Sequence, residues 1–428
     1  MNKMIRILIL MLVFCISIPA FSNADDLLKR VTSMTNEMSA QLIQWRRHFH
    51  QHPELSNREK KTGQYIAKAL KKMGVDSLTT GVAGHGVVAL IKGKHPGPTV
   101  GLRADIDALP VTESTGLAFA SKNKGVMHAC GHDVHMTSLL GAARVLTQMR
   151  EHIRGTVKLV FQPAEEGPPL GEEGGAPLMI KEGVLTNPKV DAMFALHVFP
   201  EMEVGKLGYV YGGIMASVDQ FKVIVSGKQV HAAYPWAGVD PVVATAHIIT
   251  ALQTIPSRII DAREPVVVSV GIVRGGQRWN IIPGEVVLEG TVRAHDPKVR
   301  KKAGEAFHRI VRNTARAHGS TVKITYHDMA PVTWNDPALG KRTLPSLERA
   351  VGKNKVVEIK PAMGGEDFAF YARKVPAFYI RLGVGNKAIG AVHPLHTPGF
   401  IADEASLPIG ARTLALMALD YLSNKSQP

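Results

Sequence analysis

Thr99-Val100-Gly101-Leu102-Arg103-Ala104-Asp105-Ile106-Asp107-Ala108-Leu109-Pro110 follows a Pro96-Gly97-Pro98 break, opens on a short apolar run and ends in charged residues and a proline. Residues 99–102 read as a buried strand. An arginine and two aspartates then stand at its end, where open α/β sheets place their sites. The pattern returns twice. Residues 156–161 read as a strand that delivers Gln162-Pro163-Ala164-Glu165-Glu166-Gly167, and residues 191–196 as a strand ending at His197. Buried strands separated by helical segments make the class α/β, with a doubly wound sheet.

Between the first two strands lies Met127-His128-Ala129-Cys130-Gly131-His132-Asp133-Val134-His135. Cys and His are common ligands of zinc and similar borderline metals. A lone Cys is more often a buried structural residue. Five donors within nine residues favour a metal site, because clustering is what coordination requires. The Cys130-x-His132 spacing suits a loop or extended segment in which alternate side chains point the same way.

The chain has 428 residues with 45% hydrophobic and 20% charged content, ordinary for a globular protein and long enough for two domains. Its net charge of +15 permits anionic partners. The basic residues are dispersed, and no run alternates them with aromatics, so no nucleic-acid footprint is read. Lys3 and Arg6 precede an apolar run over residues 7–18, followed by small residues near Ser22 and Ala24. This is the pattern of a secretory signal, residues 1–24, too short for a membrane span. The mature protein is expected to be exported, periplasmic or extracellular, with no membrane span after cleavage. Of two cysteines, Cys15 leaves with the signal and Cys130 remains unpaired. Metal ligation would protect that thiol.

Leu27, Val31, Met34, Met38, Leu42, Trp45 and Phe49 define one face of a single helix, and residues 58–73 a second. Residues 86–91 read as a strand and residues 135–149 as a helix. The rhythm changes near Gly213. Strands at 219–226, 266–273, 286–294 and 321–328 alternate with helices opened by Asp240-Pro241 and Asp296-Pro297, an N-cap followed by proline at the first helical position. The order β-α-β-β-α-β is ferredoxin-like. The expected organisation is a catalytic domain in two parts, 25–213 and 329–428, interrupted by an α+β unit at 214–328. Late in the chain, Gly364-Gly365-Glu366-Asp367-Phe368 is an acidic loop, His396 lies in a second histidine segment, and residues 406–422 form a final helix.

Cys130, His132, Glu166, His197 and His396 are therefore the ligand candidates. Five exceed one catalytic zinc's usual three and suit two metals roughly 3.5–4 Å apart. Glu165 is left free as a general base, and the expected reaction is hydrolysis of a polarised carbonyl, an amide. No G-x-S-x-G, P-loop or G-x-G-x-x-G motif is present.

The run from Gly101 to Pro110, the Met127–His135 cluster, Pro163-Ala164-Glu165-Glu166-Gly167, Val230-His231-Ala232-Ala233 and Leu395-His396-Thr397-Pro398 together resemble the bacterial and plant amidohydrolases. These include hippurate hydrolase, N-acyl-L-amino-acid amidohydrolase and the auxin-conjugate hydrolases. They are relatives of the aminoacylase and carboxypeptidase-G2 type of dinuclear metallopeptidases. The likeness runs from about His48 to the final helix. It implies a lid domain that dimerises, a bridging Cys130, Glu165 as base and Asp105 as an orienting carboxylate. It also implies that His231 reaches a partner subunit's site, and that Asn280 and Arg293 hold the substrate's carboxylate. The implied metals are manganese or zinc, with cobalt or nickel as alternatives. The implied substrate is a small N-acyl amino acid. Two positions depart from the pattern: Gln229-Val230 stands where a pair of small residues is usual, and Trp236 where His is frequent. The competing expectations are a carboxypeptidase or dipeptidase on the same metals, and a periplasmic metal- or peptide-binding protein without catalysis. A binder has no need of Glu165.

Overall fold

The computed structural model describes residues 24–423. The segment read as an export signal lies outside the described residues, apart from Ala24. Helices α1 (Ala24–Glu37), α2 (Ser39–Gln51) and α3 (Lys60–Met73) come first, followed by strands β1 (Ser77–Val82), β2 (Gly86–Lys92) and β3 (His95–Asp105). Then come α4 (His132–Gln148), β4 (Arg154–Gln162), α5 (Gly175–Lys181), β5 (Ala192–Glu203), β6 (Leu207–Tyr209) and β7 (Gly212–Met215). The middle of the chain holds β8 (Val218–Ser226), β9 (Val230–His231), α6 (Pro241–Leu252), β10 (Val266–Gly275), β11 (Ile281–Ile282), β12 (Glu285–Ala294), α7 (Pro297–Ala317) and β13 (Thr321–Ala330). The chain closes with β14 (Thr333–Asn335), α8 (Pro337–Val351), β15 (Val356–Glu358), α9 (Ala369–Ala372), β16 (Ala377–Gly385) and α10 (Ser406–Ser423).

Eight strands form the main sheet in the order β1-β2-β4-β3-β5-β16-β6-β15. Strand β3 is parallel to β4 and β5, and β5 to β16, so the middle of the sheet is parallel. Parallel strands are buried on both faces, and β5 shows this by alternation. Phe194, Leu196 and Val198 join a core with α4 and α10, while Met193 and Ala195 join a second core with α5 and α9 on the opposite face. The polar residues that matter below share the parity of the second core. The doubly wound α/β expectation therefore holds.

The ferredoxin-like expectation holds as well. The second sheet has the order β10-β12-β8-β13 and every pair is antiparallel, which is the pairing β-α-β-β-α-β demands. Both predicted caps form. Asp240 accepts from the N–H groups of Val242 and Val243 at 2.8 and 3.2 Å, and Asp296 from those of Lys298 and Val299 at 2.7 and 3.0 Å. Helices α6 and α7 cover one face of this sheet around Phe221, Ile248, Leu288 and Phe307. The Phe221 ring occupies the space above Gly290, where a Cβ would stand 2.4 Å from its Cζ.

Two local expectations are corrected. The single helix over Leu27 to Phe49 is two helices, because the backbone turns at Met38 with φ −87° and ψ 6°. The Met38 N–H still bonds Met34 and the Leu42 N–H still bonds Met38, so the apolar face continues through the break and periodicity does not register it. Strand β5 does not stop before His197 but runs on to Glu203.

Phe221→Ala is expected to remove about 3–5 kcal/mol from the ferredoxin-like unit by opening a cavity against Phe307. Chemical denaturation followed by the tryptophan signal checks it.

Candidate active site

The carboxyl ends of β3, β4, β5 and β16 open on one side of the main sheet, and the chemistry-bearing side chains gather there. Asp105 ends β3, Gln162 ends β4, and the turn after β4 carries Glu165 and Glu166. Cys130 and His132 arrive differently from the expected extended segment. Gly131 is left-handed, with φ 80°, and α4 begins at His132. That turn, rather than strand alternation, brings the thiol and the imidazole together. A Cβ on Gly131 would stand 2.4 Å from Val198 Cγ2 in a backbone region that only glycine adopts freely. Ala164, just before Glu165, and His396 also have positive φ, 53° and 62°. Non-glycine residues in that region are held by their surroundings, and they concentrate at functional sites.

All five predicted ligands meet. Cys130 Sγ lies 3.3 Å from His197 Nε2 and 3.2 Å from His396 Nε2. Glu166 Oε1 lies 3.4 Å from His396 Nε2 and 3.9 Å from His132 Nε2. Two triads share the thiol: Cys130 with His132 and His197, and Cys130 with Glu166 and His396. Donors bound at 2.0–2.3 Å to one tetrahedral ion stand roughly 3.3–3.7 Å apart, close to the spacings seen here. His132 Nε2 and Glu166 Oε1 are buried without a hydrogen-bond partner, as atoms reserved for a metal would be. The residues present fit a pair of divalent ions.

The electrostatics agree. Burial, then the carboxylates of Glu366, Glu166 and Asp367, push Glu165 well above the usual range. Burial also lifts Asp367, to about 7, against the pull of Arg103. His396 is pushed up to about 10 by its hydrogen bond to Cys130 and by the Glu166 carboxylate beside it. His197 is pulled well down by burial and by the charges of His135 and Arg381, which keeps its ring neutral and able to ligate.

Supporting contacts set the ligand orientations. His132 Nδ1 lies 2.8 Å from the Asp107 carbonyl and 3.3 Å from its carboxylate, which leaves Nε2 facing the cluster. Asp107 also accepts from the Glu166 N–H at 3.0 Å and from Ser56 at 2.8 Å. Asp105 lies 3.7 Å from His132 and bonds His135 Nδ1 at 2.6 Å, while His135 Nε2 accepts from the Val198 N–H. Asp107, rather than Asp105, is therefore the carboxylate that holds a candidate ligand directly. His128 and Asp133, the cluster's donors nearest Cys130 and His132 that are not among the five ligand candidates, differ from each other. Asp133 pairs with Arg46 and His50, each at 2.9 Å, whereas His128 is buried with neither ring nitrogen bonded.

Sequence reasoning gave no role to Asp107, Glu366 or Asp367. Arg103 binds Asp105 at 2.7 Å, Glu366 at 3.0 Å and Asp367 at 2.8 Å, and the Asp367 N–H meets Glu165 Oε1 at 3.4 Å. The acidic loop was visible as a motif, but its tie to Arg103 was not.

A cavity of about 920 Å³ opens over the centre. Cys130, Glu165, Glu166, His197 and His396 line it, and so does Arg293. His231 and Asn280 do not. They stand together where β9 pairs with β11, the Ala232 N–H bonding the Asn280 carbonyl at 3.0 Å, and His231 is exposed.

Residues 101–420 match peptidase family M20/M25/M40. The chain is similar to the N-acetyl-L-cysteine deacetylase of Bacillus subtilis (strain 168), 40% identical over 370 residues covering 86% of this chain and 85% of that one. It is 39% identical to thermostable carboxypeptidase 1 of Saccharolobus solfataricus over 402 residues, 94% of this chain and 100% of the relative. Among solved structures, the Bacillus subtilis YXEP protein, described as a dinuclear metal binding peptidase from the M20 family, is 35% identical with a TM-score of 0.79. That match covers 90% of this chain and 99% of the other.

Asp107→Ala is expected to weaken metal binding about 10–100-fold by removing the carboxylate that faces His132 and accepts from the Glu166 N–H, with the fold intact. Equilibrium dialysis against zinc or manganese, with circular dichroism alongside, measures it.

Proposed function

The chain belongs to peptidase family M20/M25/M40, metal-dependent hydrolases of amide bonds, and on that premise we propose that it splits N-acyl amino acids into a carboxylic acid and an amino acid. The observation that carries this reading is Glu165, a carboxylate facing the cavity beside the ligand cluster and outside the shared-thiol triads. Cys130, His132, Glu166, His197 and His396 would hold two divalent ions, manganese or zinc in the first place and cobalt or nickel otherwise. Bound there, the ions would supply a Lewis acid for the carbonyl and lower the pKa of a water.

Glu165 takes the proton from the attacking water and returns it to the leaving amine nitrogen. Its position is fixed by the strained turn at Ala164, whose N–H is held by Glu59 at 2.8 Å. Arg293, half-buried at the cavity wall, offers a guanidinium to the substrate's carboxylate.

The ferredoxin-like unit is read as a lid through which two copies pair. Three features support this: His231 stands clear of its own cavity, Tyr234, Trp236 and Trp279 beside it are 55%, 80% and 91% exposed, and β10 is an open sheet edge. Asn280 and His231 would then complete the partner's site, His231 where negative charge develops on the carbonyl oxygen. The proposed location is outside the cytoplasm, supported by the signal-like pattern of residues 1–24. Among the described residues no helix is long and apolar enough to cross a membrane. A second reading, carboxypeptidase action on short peptides, is favoured by the likeness to the S. solfataricus carboxypeptidase.

Amino-acid release from metal-reloaded protein is the test, on a panel of N-acyl amino acids and dipeptides. Glu165→Gln is expected to lower kcat about 10²–10⁴-fold while metal still binds. Release from dipeptides alone would favour the carboxypeptidase, and no release with any metal a binding protein. For the dimer, His231→Ala and Glu165→Gln are each expected to be nearly inactive, and their equimolar mixture to recover about one quarter of wild-type activity through mixed dimers. No recovery after subunit exchange would place His231 in its own subunit's site.

A further inference from the structure

Arg381 is the one cavity-lining cation that the proposed chemistry leaves unused at the main sheet. It lies in β16 as the register partner of His197 in β5, so both side chains leave the sheet on the same face. The residue is only 4% exposed, yet it lines the cavity. Its guanidinium sits 5.7 Å from the Phe199 ring and 5.5 Å from the Tyr379 ring, contacts that fix its plane. One of its nitrogens donates to the Met215 sulfur, a weak acceptor. Among the described residues it forms no ion pair: Asp105, Glu366 and Asp367 are all held by Arg103. Among the described residues no oxygen acceptor stands against its guanidinium, the Met215 sulfur being its one hydrogen-bond partner. A buried guanidinium without a counter-ion is costly, and divalent ions at the neighbouring histidine would raise the cost further. The missing partner is an anion, and the cavity is its route of entry.

We propose that Arg381 is a specificity-determining anchor for a second carboxylate on the substrate, besides the amino-acid carboxylate assigned to Arg293. The preferred substrates are N-acyl amino acids with two carboxylates. This rests on the amidohydrolase reading and narrows its substrate class. The second carboxylate has two sources, a dicarboxylic acyl group or an acidic amino-acid side chain. The planar guanidinium suits either, since it grips a carboxylate with two parallel hydrogen bonds.

Three substrates test it on the metal-loaded enzyme. N-acetyl-L-alanine has one carboxylate, N-succinyl-L-alanine adds one on the acyl side, and N-acetyl-L-glutamate adds one on the amino-acid side. At least one dicarboxylate is expected to exceed N-acetyl-L-alanine in kcat/KM by about 10–100-fold, the range of a charge-assisted pair. In Arg381→Gln that ratio is expected to fall towards one, chiefly through KM, and Arg381→Lys to restore part of it. Calorimetry on the wild-type protein gives a second reading that depends on no variant. Glutarate is expected to bind at least about tenfold more tightly than butyrate. A wild-type ratio near one for both dicarboxylates, or an Arg381→Gln ratio equal to wild type, overturns the proposal while leaving the amidohydrolase reading intact. Failure to release any amino acid, N-acetyl-L-alanine's included, sinks the amidohydrolase reading itself.

Discussion

The geometry of the centre depends on one buried guanidinium. Arg103 has no exposed side-chain surface, and it holds Asp105 in its own strand together with Glu366 and Asp367 from a loop more than 260 residues further on. Gln162 and the Tyr379 hydroxyl complete the loop's hydrogen bonds, at 2.7 Å to Asp367 and 2.5 Å to Glu366. The carboxylates outweigh burial and hold Arg103 firmly charged. This network joins the two parts of the main sheet across the ferredoxin-like unit. It also sets a neutralised acidic floor beneath Glu165. Without Arg103 the same carboxylates would repel one another or take up protons, and the loop could not pack against β3 and β4.

Around that floor the backbone is held in costly conformations. Ala164 and His396 are left-handed without being glycine, and each stands at or next to a side chain the proposed chemistry uses. Glu59 explains how the first is kept: it bonds the Ala164 N–H, and burial and Asp107 push its carboxyl up to about 7. For His396, the bond from its N–H to the Ala129 carbonyl at 2.8 Å ties the late histidine loop to the segment before Cys130. Both turns are thus stabilised by partners distant in the chain, which is the condition for strain to persist.

Three arginines meet the centre in three states. Arg103 is neutralised by carboxylates, Arg293 is half-buried and donates to Thr291, and Arg381 is buried against rings with no ion pair among the described residues. Their differing environments suit one residue type to distinct tasks: building the site and, in the proposed chemistry, meeting the substrate's constant group and reading its variable one. The lid residues follow the same logic of position. His231 has the right chemistry for an oxyanion, but in a single chain it faces solvent.

The α/β class, the ferredoxin-like order and the five candidate ligands were legible in the amino-acid sequence. Each rests on local physics: apolar runs of strand length, Asp-Pro caps that satisfy the first helical N–H groups, and donor-rich residues crowded where strands end. Tertiary structure alone decided the rest. Periodicity cannot register the break at Met38, because the apolar face continues through it. Alternation cannot foresee that a left-handed Gly131 aims Cys130 and His132. Nothing near Asp107, Glu366 or Arg381 in the chain states which of them will hold a ligand, be neutralised or stay unpaired. A buried charge takes its role from partners the fold brings to it, often hundreds of residues away, and that pairing is settled only when the sheet and its loops close around them.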